Sequence, residues 1–188
     1  LLVTGTFWSA LSDDTSYGFQ AILANDQIQQ VVFDEQNRAW IGTSLGGVVL
    51  MEEQDGLWLK LAAFSAQNGV LGSNGIQAIY FDEQERTWIQ ALEGGVTVVE
   101  EKDKQWKKVF SFSDQDDLIG SNDIDIIRFD YQNRVWFGIQ DVGIVVLKEN
   151  NDGWEKVDSF SVEGGTLSSN NVGTIIFNDQ QQAWIGTS

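Results

Sequence analysis

Short apolar runs alternate with polar turn residues along the chain, and no stretch has the period of an amphipathic helix. In one stretch the runs predict four strands: Ile28–Phe33, Ala39–Thr43, Val48–Met51 and Trp58–Leu61. The first of them is partly apolar on both faces, as expected of a strand that is covered on both sides. The pattern therefore predicts an all-β fold.

The same pattern recurs with a period of 48 residues. One tryptophan series lies on the second strand of each repeat: Trp40, Trp88, Trp136 and Trp184. Another lies on the fourth strand: Trp8, Trp58, Trp106 and Trp154. Repeats of this length, with four antiparallel strands and a repeated Trp, are typical of β-propeller blades. A single blade cannot bury its apolar faces, so neighbouring blades must stack.

We expect one β-propeller domain over residues 1–188, with four blades of four antiparallel strands. Three complete blades are predicted at 23–70, 71–118 and 119–166. The half-blade 1–22 has the pattern of third and fourth strands, and the half-blade 167–188 has that of first and second strands. Pairing of the two half-blades would close the ring and leave no open sheet edge. The alternative is a fragment of a larger propeller.

Composition excludes several functions. The chain has 28 Asp and Glu against 11 Lys and Arg, a net charge of −17, so we expect no nucleic-acid partner. It has no His and no Cys, which excludes the usual catalytic triads, disulfides and common zinc sites. No apolar run approaches the roughly 20 residues that span a bilayer, so no direct membrane insertion is expected. No cofactor is indicated.

Ligand-binding residues are expected where loops gather around the channel of a propeller. The start of the first strand carries Gln29, Gln77 and Asp125 in successive repeats, and the connection after the second strand carries Glu93 and Asp141. Their amides and carboxylates suit a small polar ligand such as an oligosaccharide. The alternative is that they are solvated loop residues.

Other candidate residues also have a structural alternative. The second-strand tryptophans are expected to pack between blades, whereas the fourth-strand series could form a partner surface or pack at a sheet edge. Asp114, Asp116 and Asp117 occur in one repeat only and offer oxygens that suit Ca²⁺, but they lack EF-hand spacing. The recurring Asp and Arg of the first hairpin, as in Asp34 and Arg38, are expected to form a local ion pair.

The repeat resembles the two-component-regulator propeller repeat, a blade family found in the sensor regions of bacterial hybrid histidine kinases. The matching segments include Leu71-Gly72-Ser73-Asn74, Thr87-Trp88-Ile89, Gly94-Gly95-Val96 and Ala39-Trp40-Ile41-Gly42-Thr43. The chain departs from the family pattern in lacking a proline before Ser-Asn and in having Gln90-Ala91 in place of Gly-Thr. The resemblance implies a periplasmic or extracellular sensing or interaction module, often one that recognises glycan breakdown products.

We therefore expect a noncatalytic binding or sensing propeller with a small polar ligand or a protein partner. A structural subunit or scaffold of a larger assembly is the alternative. A lyase or hydrolase based on two carboxylates is chemically possible, but no pair of carboxylates stands out from the repeated pattern. The oligomeric state is not predicted.

Overall fold

The structure is a computed structural model, and it describes residues 26–188. Within that range the chain forms fourteen β-strands and no helix. The strands of the first two repeats are β1 Ile28–Phe33, β2 Ala39–Thr43, β3 Val48–Gln54, β4 Leu57–Phe64, β5 Ile76–Phe81, β6 Thr87–Ala91, β7 Gly95–Lys102 and β8 Gln105–Phe112. The remaining strands are β9 Ile124–Phe129, β10 Arg134–Ile139, β11 Gly143–Asn150, β12 Gly153–Phe160, β13 Val172–Phe177 and β14 Ala183–Thr187.

The strands form three sheets of four and one hairpin, in the orders β1-β2-β3-β4, β5-β6-β7-β8, β9-β10-β11-β12 and β13-β14. This confirms the all-β class and the unit of four strands that are neighbours in sequence order. The half-blade predicted at 1–22 lies outside the described residues. Closure of a four-bladed ring by the two half-blades therefore stays a prediction.

The chain divides into two compact units. Among the described residues, the first contains β1 to β7 with 105–109 of β8, and the second contains 110–112, the sheet β9 to β12 and the hairpin β13-β14. The short turn 82–85 belongs to the second unit. The prediction of a single domain over 1–188 stays a prediction.

The third strand ends later than predicted and the fourth begins earlier, because a tight hairpin turn joins them; the fourth also continues to Phe64, which pairs with Val48. Asp55 and Gly56 have φ values of 54° and 83°, the left-handed conformation that a two-residue hairpin turn requires. Consequently Glu53 pairs with Trp58, and β3 continues to Gln54. The Asp-Gly dipeptide in the sequence is the signal for this turn.

Tryptophan packing organises the first unit. Trp40 is fully buried and stacks on Phe64, with ring centroids 5.5 Å apart and an angle of 9° between the rings. Trp106 of the second sheet meets the Trp40 ring edge-on at 4.9 Å, and Phe81 does so at 6.1 Å. One sheet therefore covers the indole of the other, as the stacking of blades requires.

The second unit repeats this packing. Trp136 stacks on Phe160 at 5.5 Å and 8°, and Phe177 of the next sheet meets it edge-on at 5.3 Å. Burial of the second-strand tryptophans is thus confirmed for Trp40, Trp88 and Trp136. Trp184 differs: it is 65% exposed, on a strand that pairs only with β13 among residues 26–188.

The predicted ion pair of the first hairpin is confirmed, and it includes the tryptophan. Asp130 Oδ2 accepts hydrogen bonds from Arg134 Nε at 2.7 Å and from Trp136 Nε1 at 2.8 Å. Asp130 Oδ1 accepts from the backbone amides of Gln132 and Arg134. One carboxylate therefore fixes the turn and satisfies the indole of the buried ring.

We call this hydrogen-bonded group of Asp, Arg and Trp the clasp. In the first unit the equivalent clasp also contacts the neighbouring sheet. Asp34 accepts from Arg38 Nε at 2.7 Å and Trp40 Nε1 at 3.0 Å. The guanidinium of Arg38 also donates to Glu101 at 2.5 Å and lies 5.3 Å from the Trp106 ring centroid. The arginine thus joins two sheets by a hydrogen-bonded ion pair and a cation–π contact.

A Ser-Asn pair precedes β5, β9 and β13 and fixes the preceding loop. The side-chain oxygens of Asn74, Asn122 and Asn170 accept from the backbone amides of residues eight positions earlier, at 2.7, 3.0 and 2.8 Å. The serine hydroxyls accept from the amides two residues later. These bonds explain why the Ser-Asn pair recurs.

We expect Trp40→Ala to lower the free energy of unfolding by about 3 to 5 kcal/mol, since it removes a buried aromatic ring. The matched control is Trp184→Ala, at the same repeat position but exposed, for which a change within about 0.5 kcal/mol is expected. Urea unfolding followed by circular dichroism measures both. Equal losses would show that Trp184 is covered in solution.

Asp130→Asn tests the clasp. In the fourth repeat, Asn178 accepts the two equivalent backbone amides, so asparagine supports the turn. The substitution should still cost about 1.5 to 3 kcal/mol at neutral pH, because charge-assisted hydrogen bonds are lost.

Burial alone would raise the pKa of Asp130, but hydrogen bonds from Trp136, from the amides of Arg134 and Gln132 and from the guanidinium hold it below its usual value. The ionised carboxylate therefore stabilises the fold above the unfolded pKa of about 3.9, and that stability is lost as pH falls through the folded pKa. The difference between wild type and Asp130→Asn should thus shrink in acid. Equal stability of the two proteins at pH 7 would refute the role of the clasp.

Candidate functional site

The first strand of each repeat contains a β-bulge at one position. Its pairing with the second strand skips one residue in each repeat: Gln29, Gln77, Asp125 and Gly173. A bulge removes a residue from the ladder and redirects its side chain. All four residues are exposed. Three of the sequence-predicted site residues therefore occupy the same local geometry, which sequence reasoning located without identifying the bulge.

In the first unit the bulge at Gln77 belongs to a hydrogen-bonded network. Gln90 Nε2 donates to Gln77 Oε1 at 3.1 Å, and the Tyr80 hydroxyl donates to Gln90 Oε1 at 3.2 Å. On the adjacent first strand, Gln30 Oε1 accepts from the backbone amide of Ile79 at 2.6 Å. Amide side chains thus concentrate along β1 and β5.

Glu93 lies in the tight connection between β6 and β7. It has a φ of 56°, and the amide of Gly94 donates to the carbonyl of Ala91 at 3.1 Å. Asp141 holds the equivalent place in the second unit, with a φ of 61°. Left-handed backbone at non-glycine residues favours Asp and Asn, so a backbone role accounts for part of the choice at Asp141.

In the second unit the structure brings Asp125 and Asp141 into electrostatic contact. Asp125 is exposed as a residue, but partial desolvation of its carboxylate by neighbouring atoms raises its pKa, and the negative charges of Asp123 and Asp141 raise it further. The bulge in this unit therefore presents clustered carboxylates, in contrast to the amides of the first unit.

The fourth-strand tryptophans are packed against aromatic rings. Trp106 contacts Trp40 and Phe64, and Trp154 meets Phe110 and Phe112 edge-on at 5.7 and 5.5 Å. Trp58 packs against the buried cluster that includes Met51. Trp8 lies outside the described residues. This packing favours the edge-packing alternative for these rings, and a partner surface stays a prediction.

The loop containing Asp114, Asp116 and Asp117 is organised by its own hydrogen bonds. Asp116 accepts from the backbone amides of Ser113 at 2.5 Å, Leu118 at 3.0 Å and Ile119 at 3.1 Å. Across residues 26–188 no group of three acidic side chains is placed to hold a metal ion. Asp116 therefore has a structural function in this loop.

The sequence did not identify the residues that interact with the bulge residues. Gln90 donates to Gln77 and accepts from the Tyr80 hydroxyl, and the charge of Asp123 raises the pKa of Asp125. A signal for Gln90 was present, since it replaces the glycine found at this position in the other repeats.

Asp125→Asn should raise the melting temperature at pH 7. Because the folded pKa of Asp125 is raised, its ionised form destabilises the fold above that pKa, and the destabilisation is relieved as pH falls through it. The gain from the substitution should therefore disappear as pH approaches about 4. Thermal unfolding across pH measures this effect.

The control is Asp152→Asn, which removes the same charge from an exposed turn. A gain of the same size and pH dependence in the control would attribute the effect to net charge rather than to the Asp125 site.

The fold has neighbours among solved structures. Two are structures of the extracellular domain of BT4673 from B. thetaiotaomicron, described as a one component or hybrid two component system, with TM-scores of 0.57 and 0.58 and identities of 20% and 18%. They are matched over 84% and 82% of this chain and 20% of theirs. A third is PorZ of Porphyromonas gingivalis, a bacterial surface component of the type-IX secretion system, with a TM-score of 0.57, 18% identity and coverage of 86% and 25%.

No protein-family model matches the chain, and no curated protein matches it. The chain spans about a fifth to a quarter of the length of these structural neighbours. Among the described residues there is no helix long and apolar enough to cross a membrane. The chain thus has the fold found in these extracellular and surface proteins, consistent with its resemblance to the two-component-regulator propeller repeat.

Proposed function

We propose that this chain is a noncatalytic recognition module that binds a small polar ligand, an oligosaccharide, through the bulges of its first strands. The observation that carries the proposal is the recurrence of an exposed bulge residue at one repeat position, with Gln29, Gln77 and Asp125 there. Bulges are common beside functional sites because they redirect a side chain out of the ladder.

The chemistry of these side chains suits a sugar. Amides donate and accept hydrogen bonds, and carboxylates accept them, which matches the paired donor and acceptor capacity of a hydroxyl group. The bulges lie on regular strands of packed sheets, so the polar groups are held on a rigid scaffold.

We infer a noncatalytic function because the sequence lacks the histidine of the usual catalytic triads and the thiol nucleophile. It contains no His and no Cys. Asp125 and Asp141 are close enough to interact, but both belong to an acidic cluster in which nothing assigns one as acid and the other as nucleophile. Recognition needs none of these roles.

We place the module outside the cytoplasm, in the periplasm or at the cell exterior. The structural neighbours described above are extracellular domains and a surface component, and they support this location by analogy of fold.

A protein partner is the second candidate. The outer fourth strands expose apolar side chains, with Leu57 50%, Leu61 43% and Val157 42% exposed. Exposed apolar side chains on outer strands favour contact with another protein. A scaffold function would use the fourth strand of either unit and leave the bulges unoccupied.

Thermal-shift measurements with cellohexaose, xylohexaose and maltohexaose test the proposal. At least one should raise the melting temperature of the wild-type chain, since a ligand bound only by the folded state stabilises it. The double variant Gln29→Ala/Gln77→Ala should lose the shift if the first unit binds, and Asp125→Ala should lose it if the second does.

Gln180→Ala is the control, because it removes an exposed amide from the β13-β14 turn. Retention of the full shift in both the double variant and Asp125→Ala would reject the bulges as the site. No shift with any sugar, together with stable co-purification of a protein partner, would favour the scaffold.

A further inference from the structure

Two residues beside the Gln77 bulge depart together from the repeat. The residues equivalent to Gln90 in the other repeats are all glycine: Gly42, Gly138 and Gly186. The residues equivalent to Tyr80 in the other repeats are Val32, Arg128 and Ile176. Because the other blades form without these residues, the general plan of the blade does not require Tyr80 or Gln90.

The glycine at this position elsewhere has a packing cause. A Cβ added at Gly42 would lie 2.7 Å from Ile76 Cγ2, and one added at Gly138 would lie 2.5 Å from Ile126 Cγ2. In β6 a whole glutamine side chain occupies this position, and Gln90 is only 3% exposed. A buried amide is costly unless it is hydrogen-bonded. Gln90 therefore needs side-chain hydrogen bonds that the glycines of the other repeats cannot make.

These bonds fix the orientation of Gln77. The Tyr80 hydroxyl donates to Gln90 Oε1, which leaves Gln90 Nε2 to donate to Gln77 Oε1. Its oxygen accepts from this buried donor and the residue is exposed, so Nε2 is the group of the Gln77 side chain left for partners outside the unit. That amide group has two N–H donors and no acceptor.

The side-chain oxygen of Gln30, like that of Gln77, accepts a hydrogen bond within the unit. Its Oε1 accepts from the backbone amide of Ile79, two residues beyond Gln77 on β5, so its Nε2 is the group left for other partners. The oxygens of both glutamines are used inside the unit, and the remaining amide groups are donors. The matching ligand atoms are oxygens that accept hydrogen bonds.

The charge of the chain narrows the ligand class further. A net charge of −17 disfavours anionic ligands such as uronates and phosphates. The hydroxyl and ring oxygens of a neutral sugar are acceptors without charge.

We propose that Tyr80 and Gln90 are positioning residues that hold the Gln77 amide outward as a hydrogen-bond donor, and that this donor selects a neutral oligosaccharide in the first unit. The ligand class rests on the proposed function above, whereas the positioning of Gln77 does not.

Side-chain amide NMR tests the positioning alone. In the ¹⁵N-labelled wild type, the order parameter of Gln77 Nε2 should approach the rigid value of about 0.85, whereas that of Gln180 in an exposed turn should be below about 0.6. Gln90→Met keeps the volume but removes the hydrogen bonds, and it should bring Gln77 to the mobile value. Tyr80→Phe, which removes one hydroxyl, should cause a smaller loss. A mobile Gln77 in the wild type, or a Gln77 unchanged in Gln90→Met, would overturn the positioning.

Calorimetric titration tests the ligand class. Cellohexaose, xylohexaose or maltohexaose should bind the wild type, and hexagalacturonate should bind at least about tenfold more weakly. Gln77→Glu replaces the donor with an acceptor and should weaken neutral-sugar binding about tenfold or more, while Gln180→Glu, with the same added charge, should not. Equal affinity of Gln77→Glu, or binding of none of the neutral sugars, would overturn the ligand class, and the NMR result would still decide the positioning.

Discussion

The indole N–H of a buried tryptophan on the second strand needs a hydrogen-bond acceptor. The contacts of this one side chain link the turn, the strand and the packing of neighbouring sheets. In the first and third repeats an aspartate of the preceding turn accepts this hydrogen bond and also holds an arginine. The same ring stacks on a phenylalanine of its own sheet and is covered by aromatic rings of the next. Turn, strand and sheet packing therefore depend on one indole. At Trp184, whose strand pairs only with β13 among residues 26–188, the ring is 65% exposed and Asn178 stands in place of the aspartate.

Repeated positions and variable positions differ in their structural setting. Positions that repeat, such as the clasp and the Ser-Asn pair, account for the fold through contacts that are the same in different repeats. Positions that vary, such as the bulge residues, are exposed on the same scaffold and differ in chemistry from one unit to the other. A recognition module needs both: rigid backbone geometry and variable side chains.

The sequence predicted the fold closely because the repeat averages out local ambiguity. The bounds of β1 and β2 agree with the predicted strands. The end of β3 and the start of β4 were missed because the Asp55-Gly56 turn extends their pairing, and the end of β4 at Phe64 was also missed. The candidate site could be located in part from the sequence, and its function in binding stays a prediction. Gln29, Gln77 and Asp125 were located by their common repeat position, but the bulges depend on strand register, which residue types alone do not show.

The hydrogen bonds of Gln90 with Tyr80 and Gln77 could not be predicted from the sequence, for a physical reason. A glutamine in place of a repeated glycine signals a local change, but its partners depend on which strand lies beside it and on the direction of each side chain. Gln90 reaches both Tyr80 and Gln77 because β5 pairs with β6 in a register that the bulge shifts. Pairwise contacts of this kind follow from tertiary structure.

Chemical-shift mapping by NMR during titration with a binding oligosaccharide tests the central claim, recognition at the bulges, most directly. The account predicts that the largest shifts fall on the backbone and side-chain amides around Gln77 and Gln29, or around Asp125, and on the adjoining turns with Glu93 or Asp141. Shifts confined to the outer strands β4, β8 and β12, with the bulges unaffected, would contradict it.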